Sequence, residues 1–587
     1  MDWREGALIE AEKHHAVVLK FGSSVLRSED DLPSAVHEIY RAWRDGAQVI
    51  VVVSALGDAT DQLLRRASRI CEQPEPAALA ALLATGEATT VALLGLALDR
   101  AGIPTRILDP AQAGLRTRGD RLDAELVAVD LERLRAELQQ GVVVLPGFVG
   151  RGEHGETTLL GRGGSDFTAV FLAQRLGARC ILFKNVDGLY TADPAAVSWG
   201  QPRRFARATW ETAKRVGGGI IQPKALDFAA AHRFSFIIAA PWATVWTEIG
   251  AGPDEYATER TPAMPVRIAL LGCGTVGGGV YSRLAALAGQ FEVIGVSVRN
   301  RERALSVGVP EGLIVQDPEA LIDKPCDVVV ELMGGLEPAA TLVERALRAR
   351  RHVVTANKAL IAAKGEHLIA LAAENGVRLA YSAAVGGALP ALEAVARARA
   401  AGPIRSLSGV LNGTTNFILD QLASGMSWDE AVRAAQEEGY AEADPSLDLD
   451  GTDAAQKIVL LARAAFGVNL SLDEIEREGI TRIDAAEIAR ARAEGKMIRL
   501  VASCERTADG VNARVRPQHL PQSHPLASTA GIENRLLIEP EAGAPLLIAG
   551  KGAGRWPTTE SVLADLFDIR WAAQQVSSNE EVEECIA

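Results

Sequence analysis

The chain has 587 residues, 48% of them hydrophobic and 23% charged, with a formal net charge of −14 at pH 7. That length predicts about three or four domains of ordinary soluble α/β composition, and the acidic balance argues against a nucleic-acid partner while leaving room for a locally basic anion site. Six cysteines (71, 180, 273, 326, 504 and 585) are scattered without a Cys-x-x-Cys pair, which argues against a zinc site or a disulfide framework and fits a reducing cytoplasm.

At the start, MDWREGALIEAEKHH lacks the apolar core of a secretory signal, and apolar stretches such as Ile181–Phe183 or Phe234–Ala240 fall short of a membrane span. The expectation is a cytoplasmic chain with no membrane partner. Short β-branched runs then recur between helix-length segments: AVVLKF at 16–21, AQVIVVVSAL at 47–56, VVVLPGFV at 142–149, ARCILF at 178–183 and FSFIIAA at 234–240. Runs of this kind are the mark of a parallel sheet buried on both faces.

Within this first region, LLGRGGSDFTAVFLAQRLGA (159–178) places a glycine-rich turn with Arg162 and Asp166 at the opening of a helix, the makings of an anion site. Together with KFGSSVL (20–26), VVVSALGDATDQLL (51–64), TGEATT (85–90) and NVDGLYTADP (185–194), it resembles the amino-acid-kinase family, and within it aspartate kinase, over about 16–240. The resemblance implies a three-layer α/β domain that phosphorylates aspartate with ATP and Mg²⁺. A carboxylate acceptor is already ionised, so catalysis is charge neutralisation and alignment rather than base chemistry. On the matching positions Lys20 would offset phosphoryl charge and Asp166 would position the reacting groups. Glu87 and Arg162 would hold the ammonium and α-carboxylate of aspartate, and Asp187 and Tyr190 would lie in the nucleotide loop.

The match has departures. KFGSS is one residue shorter than the family pattern and lacks its second glycine, and Lys184-Asn185 stands where Thr-Asp is usual. Gly219 replaces a nucleotide-contacting lysine, for which Lys184 or Lys224 could compensate. KFGSSVL is also similar to glutamate 5-kinase. A degenerate structural domain and another acyl-phosphate kinase therefore stand beside aspartate kinase as readings of residues 1–247.

The segment EIGAGPDEYATERTPAMP (248–265) is polar, rich in Pro and Gly and without apolar period, and reads as an interdomain linker. Strand–helix alternation restarts with VRIALLGCGTVGGGV (266–280). Its Gly272-x-Gly274-x-x-Gly277 follows a strand and opens a helix, the setting in which glycines allow a tight turn, close approach of a pyrophosphate and close helix–strand packing. Thr275 and Val276 complete that loop. The second strand, FEVIGVSV (291–298), ends in Arg299, Asn300, Arg301 and Arg303 rather than an acidic ribose reader, which favours NADP over NAD. Residues 396–545 read as a mixed α+β domain, and LLIAGKGAGRWPTTESVLADLF (546–567) as strand, glycine turn at Gly554 and helix returning to the dinucleotide domain at 266–395.

Four further motifs follow in order: TANKALIA (355–362), YSAAVGGALP (381–390), NGTTNFIL (412–419) and EEGYAEADPSLDLDGTDAAQK (437–457). Together with the glycine loop they closely resemble homoserine dehydrogenase over essentially the whole stretch from 266 onward. The resemblance implies interconversion of homoserine and aspartate 4-semialdehyde with NADP or NAD. Oxidising an alcohol requires loss of its hydroxyl proton, and a lysine whose pKa is lowered by its surroundings can accept it. Lys358 and Lys457 are the two candidates for that lysine; the resemblance implies Lys457 as the acid/base, with Lys358 between nicotinamide and substrate and sharing the proton work. Glu442 would take the substrate ammonium, and Asp448 and Asp453 would position substrate and Lys457. Asp453 and Lys457, four apart, would share a helix face. Thr355 and Gly439 join the implied cofactor contacts. Backbone carbonyls of Val385 and Gly387 would hold Na⁺, although Ser382 and Ala383 precede that turn where a glutamate is frequent.

The two resemblances imply a two-activity chain in the biosynthesis of threonine, methionine and lysine, with small-molecule substrates and a homo-oligomeric state. The alternative is a dehydrogenase with a structural kinase-like domain. No room lies between Ala240 and Val266 for the pair of small regulatory domains that such fusions often carry, so their amino-acid effector site is expected to be missing.

Overall fold

The structure, a computed structural model, describes residues 16–193, 202–258 and 264–586, with side chains described through residue 572. The expectations for the first fifteen residues and for 259–263 lie outside the described residues. The chain divides into two compact units, Met1–Thr261 and Pro262–Ala587.

The first unit is built on a nine-stranded sheet. From one edge to the other it runs Glu255–Tyr256, Phe205–Thr209, Trp246–Gly250, Phe236–Ala239, Arg179–Phe183, Ala16–Phe21, Gln48–Val53, Val142–Pro146 and Thr105–Ile107. The central pairings are parallel, and Phe236–Ala239 against Trp246–Gly250 is antiparallel. The run Val49–Val53 is buried at every residue, as the unbroken apolar pattern requires when helices cover both faces. Phe167, Val170 and Phe171 of the helix Gly164–Leu176 pack on Val18, Ile50 and Leu182 in the main core. A smaller four-stranded sheet, including Arg116–Asp120 and Val149–Arg151, flanks it.

Two expectations are corrected in this unit. Residues 248–256 are not linker: Trp246–Gly250 and Glu255–Tyr256 are strands of the nine-stranded sheet, where ladder hydrogen bonds hold a polar sequence that has no apolar period. The helix Pro76–Ala101 is long and apolar enough, by length and composition, to cross a membrane, which the strand-like runs did not reveal. It packs against the helices Leu32–Arg44 and Ala59–Ile70 and the strands Val142–Pro146 and Thr157–Leu159, and it carries buried Glu87 near its middle.

The second unit holds two sheets. The first is parallel throughout, with Val266–Leu271 and Val328–Glu331 at its centre and Phe291–Ser297, Ile314–Val315, His352–Thr355 and Leu379–Ala380 outside them. Counted along this unit, the order is 3-2-1-4-5-6, the doubly wound arrangement that binds dinucleotides where the order reverses. The second sheet is mixed, mostly antiparallel. Its long hairpin Lys496–Thr507/Gly510–Pro521 adjoins Ile404–Val410, then Glu533–Pro540 and Leu546–Lys551.

The return of the chain is divided in a way the sequence did not show. Leu546–Lys551 stays in the second sheet, paired with Glu533–Pro540. The helix Arg555–Ile586 reaches the dinucleotide fold, where it packs on Thr275–Ala285. Close packing is possible because a Cβ on Gly279 would lie 2.5 Å from Thr559 Oγ1, and Arg283 pairs with Glu560 at 3.0 Å in the buried interface.

Candidate active site

The glycine loop of the second unit has three glycines in three distinct situations. Gly272 adopts φ +98°, and a Cβ there would sit 2.7 Å from the Leu332 carbonyl. A Cβ on Gly277 would lie 2.1 Å from the Gly272 carbonyl, so that position is reserved for contact between helix and loop. On Gly274 a Cβ would meet nothing within 4 Å, which leaves the backbone open to a ligand at the N-terminus of Thr275–Ala285. These residues fit a dinucleotide pyrophosphate. Gly554 (φ +111°) precedes the returning helix.

The basic cluster after the second strand is not arranged as the sequence reading had it. Arg301 is engaged by Glu311 across the short loop. Arg303 instead donates to Thr275 Oγ1 at 2.9 Å, beside the glycine loop. Position 303 follows Asn300, whose side chain caps the helix Arg301–Ser306 by accepting from Arg303 N, and that turn directs Arg303 back toward the loop. Arg299 is exposed at the end of the strand.

At the carboxyl end of the parallel sheet, Thr355 Oγ1 donates to the fully buried Glu331 at 2.6 Å. Asn357 caps the helix Lys358–Glu374 by accepting from Leu360 N, so Lys358 is its first residue. Lys358 Nζ lies 2.9 Å from Asp453 Oδ1, and Lys457 Nζ lies 2.9 Å from Asp453 Oδ2. The four-residue spacing does place Asp453 and Lys457 on one face of Thr452–Phe466. Lys457 also donates to the Leu411 carbonyl at 2.6 Å.

Asn412 ties the cluster together and was missed as a site residue. Its Nδ2 donates to Asp448 at 2.7 Å and to Asp453 at 2.8 Å, while its Oδ1 accepts from Thr415 N and caps Gly413–Ala423. The signal was the Asn of NGTT standing where a helix begins. Burial by itself would raise the Asp453 carboxyl. Lys457, Lys358 and the bonds from Lys457 and Asn412 instead hold it well below the usual carboxylate range.

Asp448 is half-buried, and burial pushes it up. Lys358 corrects an expectation: the charge of Asp453, more than burial, acts on it, and its ammonium is held above the ordinary value rather than below. Glu442 is exposed, and its charge adds to the stabilisation of Lys358. Gly439 turns at φ +74° ahead of Tyr440, whose carbonyl accepts from Thr414 Oγ1 at 2.7 Å.

The expected glycine turn at 381–390 begins as a short helix, Ser382–Gly386, with Val385 buried. Gly387 follows at φ +52° against Lys551–Ala553. Among the described residues no group of three or more His, Cys, Asp and Glu side chains is placed to hold a metal ion.

In the first unit a cavity of about 580 Å³ is lined by Lys20, Glu87, Arg162, Asp166, Lys184 and Gly219, among others. Lys20 Nζ is 2.6 Å from Asp166 Oδ1, and Lys184 Nζ is 2.7 Å from Oδ2. Gly22 clears space for Lys20, since a Cβ there would lie 2.6 Å from its Nζ. Burial would raise Asp166, but Lys184 and Lys20 bring it to about 2.

Glu87, 3% exposed, accepts from Ala55 N at 3.3 Å through Oε1, and its Oε2 has no hydrogen-bond partner among the described residues. Burial raises its carboxyl to about 7. Asp187 accepts from Tyr190 Oη at 2.9 Å; burial first, then Asp187, push that phenol to about 12. Neither lines the cavity that holds Lys20. Lys224 Nζ is spent elsewhere, on Asp123 and the carbonyls of Ala124 and Leu160 at 2.8, 2.8 and 2.9 Å.

Comparison with known proteins matches both units. The homoserine dehydrogenase family matches residues 390–567, the homoserine dehydrogenase NAD-binding domain 272–382, and the amino acid kinase family 15–239. A homoserine dehydrogenase from Synechocystis is 40% identical over 318 residues, covering 52% of this chain and 73% of that protein. One from Corynebacterium glutamicum is 41% identical over 331 residues, covering 54% and 74%. A solved homoserine dehydrogenase from Thiobacillus denitrificans, 38% identical, superposes with a TM-score of 0.50 over 52% of this chain and 73% of its own. The chain belongs to the homoserine dehydrogenase family through its second unit and carries an amino acid kinase domain in the same polypeptide.

Proposed function

We propose that the second unit oxidises homoserine to aspartate 4-semialdehyde, and runs the reverse reduction, while the first unit phosphorylates aspartate at its side-chain carboxylate. The observation that carries the first reading is the Lys358–Asp453–Lys457 cluster at the carboxyl end of a dinucleotide-type sheet. A bound nicotinamide dinucleotide would supply the hydride acceptor for the alcohol carbon. The chain handles the proton: Lys457 accepts it from the hydroxyl in oxidation and returns it in reduction. Lys358, held charged by Asp453, donates to the same oxygen and offsets its developing negative charge. Glu442 and Asp448 receive the substrate ammonium. Gly272, Gly274, Thr275, Val276 and Gly277 hold the pyrophosphate, with Thr355 and Gly439 as further cofactor contacts.

Arg299 and Arg303 favour a 2′-phosphate and therefore NADP. Na⁺ at the Val385 and Gly387 carbonyls belongs to the same proposal, as does a homo-oligomeric assembly. Homoserine with NADP and with NAD, followed at 340 nm, tests the reading. No reduction of either dinucleotide would sink it.

The kinase reading rests on two lysines flanking buried Asp166 beside the unpartnered oxygen of Glu87. Glu87 would take the ammonium of aspartate and Arg162 its α-carboxylate, with Mg²⁺ arriving on ATP. Aspartate, Mg-ATP and hydroxylamine should yield aspartyl hydroxamate. Intact dehydrogenase activity without hydroxamate would instead make the first unit a structural module.

A further inference from the structure

Neutralising Asp166 requires one lysine, and the structure supplies two. Lys20 and Lys184 take opposite oxygens of the same carboxylate, and all three residues are nearly inaccessible, at 5%, 7% and 3% exposure. Two buried ammonium groups therefore share one carboxylate at the cavity wall, and the other buried carboxylate there, Glu87, is raised to about 7 by burial, so the lysine pair is placed to take a further anion. Local structure explains how the two amines meet. The strands Ala16–Phe21 and Arg179–Phe183 are parallel neighbours, with Phe21 opposite Phe183, and Lys184 is the next residue beyond the strand end. Both amines reach the N-terminal turn of Gly164–Leu176, where Asp166 sits and where Gly161, Arg162, Gly163 and Gly164 line the same cavity.

Gly219, Ile220 and Gln222 form part of the remaining wall and supply no charge, while Asp61 and Glu87 on the rest of it are acidic. Lys224 cannot supply a positive charge either, since its amine already meets three oxygens outside the cavity. A Cβ on Gly219 would meet nothing within 4 Å, so the cavity is open on that side.

We propose that Lys184 is the second phosphate-binding cation of the first unit, acting with Lys20 on the terminal phosphoryl group of ATP in place of the absent charge at Gly219. This deepens the kinase reading. In the transfer, a carboxylate oxygen of the acceptor forms a bond to the terminal phosphorus. The bond from that phosphorus to the bridging oxygen breaks, and ADP leaves with the electron pair. No proton moves, so the two ammonium groups contribute charge and alignment alone.

The test uses the full chain and Mg-ATP, with binding measured by calorimetry separately from hydroxamate formation. K184M should weaken Mg-ATP binding by about tenfold or more, the loss of one charge-assisted contact to phosphate. K184R should stay near the wild-type value, and the double variant K184M/G219K should recover a good part of the loss. The dehydrogenase rate of each preparation reports on chain integrity. Binding by K184M within about twofold of wild type would overturn the proposal, as would equal weakening in K184R, which would make Lys184 a structural partner of Asp166. If the wild type binds Mg-ATP yet forms no hydroxamate, the aspartate-kinase reading fails while the role of Lys184 is still decided by the binding series. A wild type that binds no Mg-ATP overturns both.

Discussion

Each unit buries an aspartate between two lysines: Asp166 with Lys20 and Lys184, and Asp453 with Lys358 and Lys457. In both, the carboxylate is ionised far into acid. Its contribution to stability is complete above the ordinary value of 3.8 and is lost as pH falls below it, so acid loosens both sites. Within the second cluster the lysines differ, because Lys457 is buried with its amine also on the Leu411 carbonyl, whereas Lys358 is partly exposed. K457M is expected to lower kcat for homoserine oxidation by about 10²–10⁴-fold, as for loss of a proton-transfer group. Its KM for the dinucleotide should change little, and steady-state kinetics in both directions separate the two effects. Glu87 behaves oppositely to the aspartates. Burial raises it to about 7, and only its ionised form attracts an ammonium. Aspartate affinity in the kinase assay should therefore rise as pH increases from 6 to 8, by up to about tenfold per unit below 7. A flat KM profile over that range would remove Glu87 from the ammonium site.

At the level of elements, the glycine loop divides structural from ligand-facing positions. G277A forces a methyl against the Gly272 carbonyl and should destabilise the second unit by about 1–3 kcal/mol, seen as a lower unfolding temperature. G274A has free space in this chain and should unfold as wild type does. Its methyl would nonetheless stand where a pyrophosphate approaches, and KM for the dinucleotide should rise about tenfold. Equal unfolding temperatures together with equal KM values would count against the loop as a pyrophosphate site. The strand–glycine–helix order was legible because it is local. The capping Asn412 was visible as a helix start, but its second task, bonding Asp448 and Asp453, depends on residues some forty positions away. The linker reading failed over 248–256 for a related reason. Edge and near-edge strands such as Glu255–Tyr256 are held by ladder hydrogen bonds, which leave no apolar period to read.

Across the whole molecule, the two units each enclose their own core, and only the few residues between Tyr256 and Val266 separate the last strand of one from the first strand of the other. That stretch is too short for an inserted regulatory pair. Millimolar threonine or lysine is expected to change the kinase rate by less than about fivefold, the lower end of allosteric coupling. Strong, saturable inhibition would show that an effector site exists elsewhere. The sequence alone determined the nature of the two units, because glycine loops, strand runs and the Asp453–Lys457 spacing depend on neighbours along the chain. It also carried most of the residues now proposed for the sites, each on its own motif. Tertiary structure decided how they combine. It set Lys184 rather than Lys224 against Asp166, turned Arg301 onto Glu311 and Arg303 onto Thr275, and held Lys358 above its ordinary pKa. The physical reason is common to all of these. Charge, burial and hydrogen bonding act over a few ångströms of space, and only the fold determines which distant residues share that space.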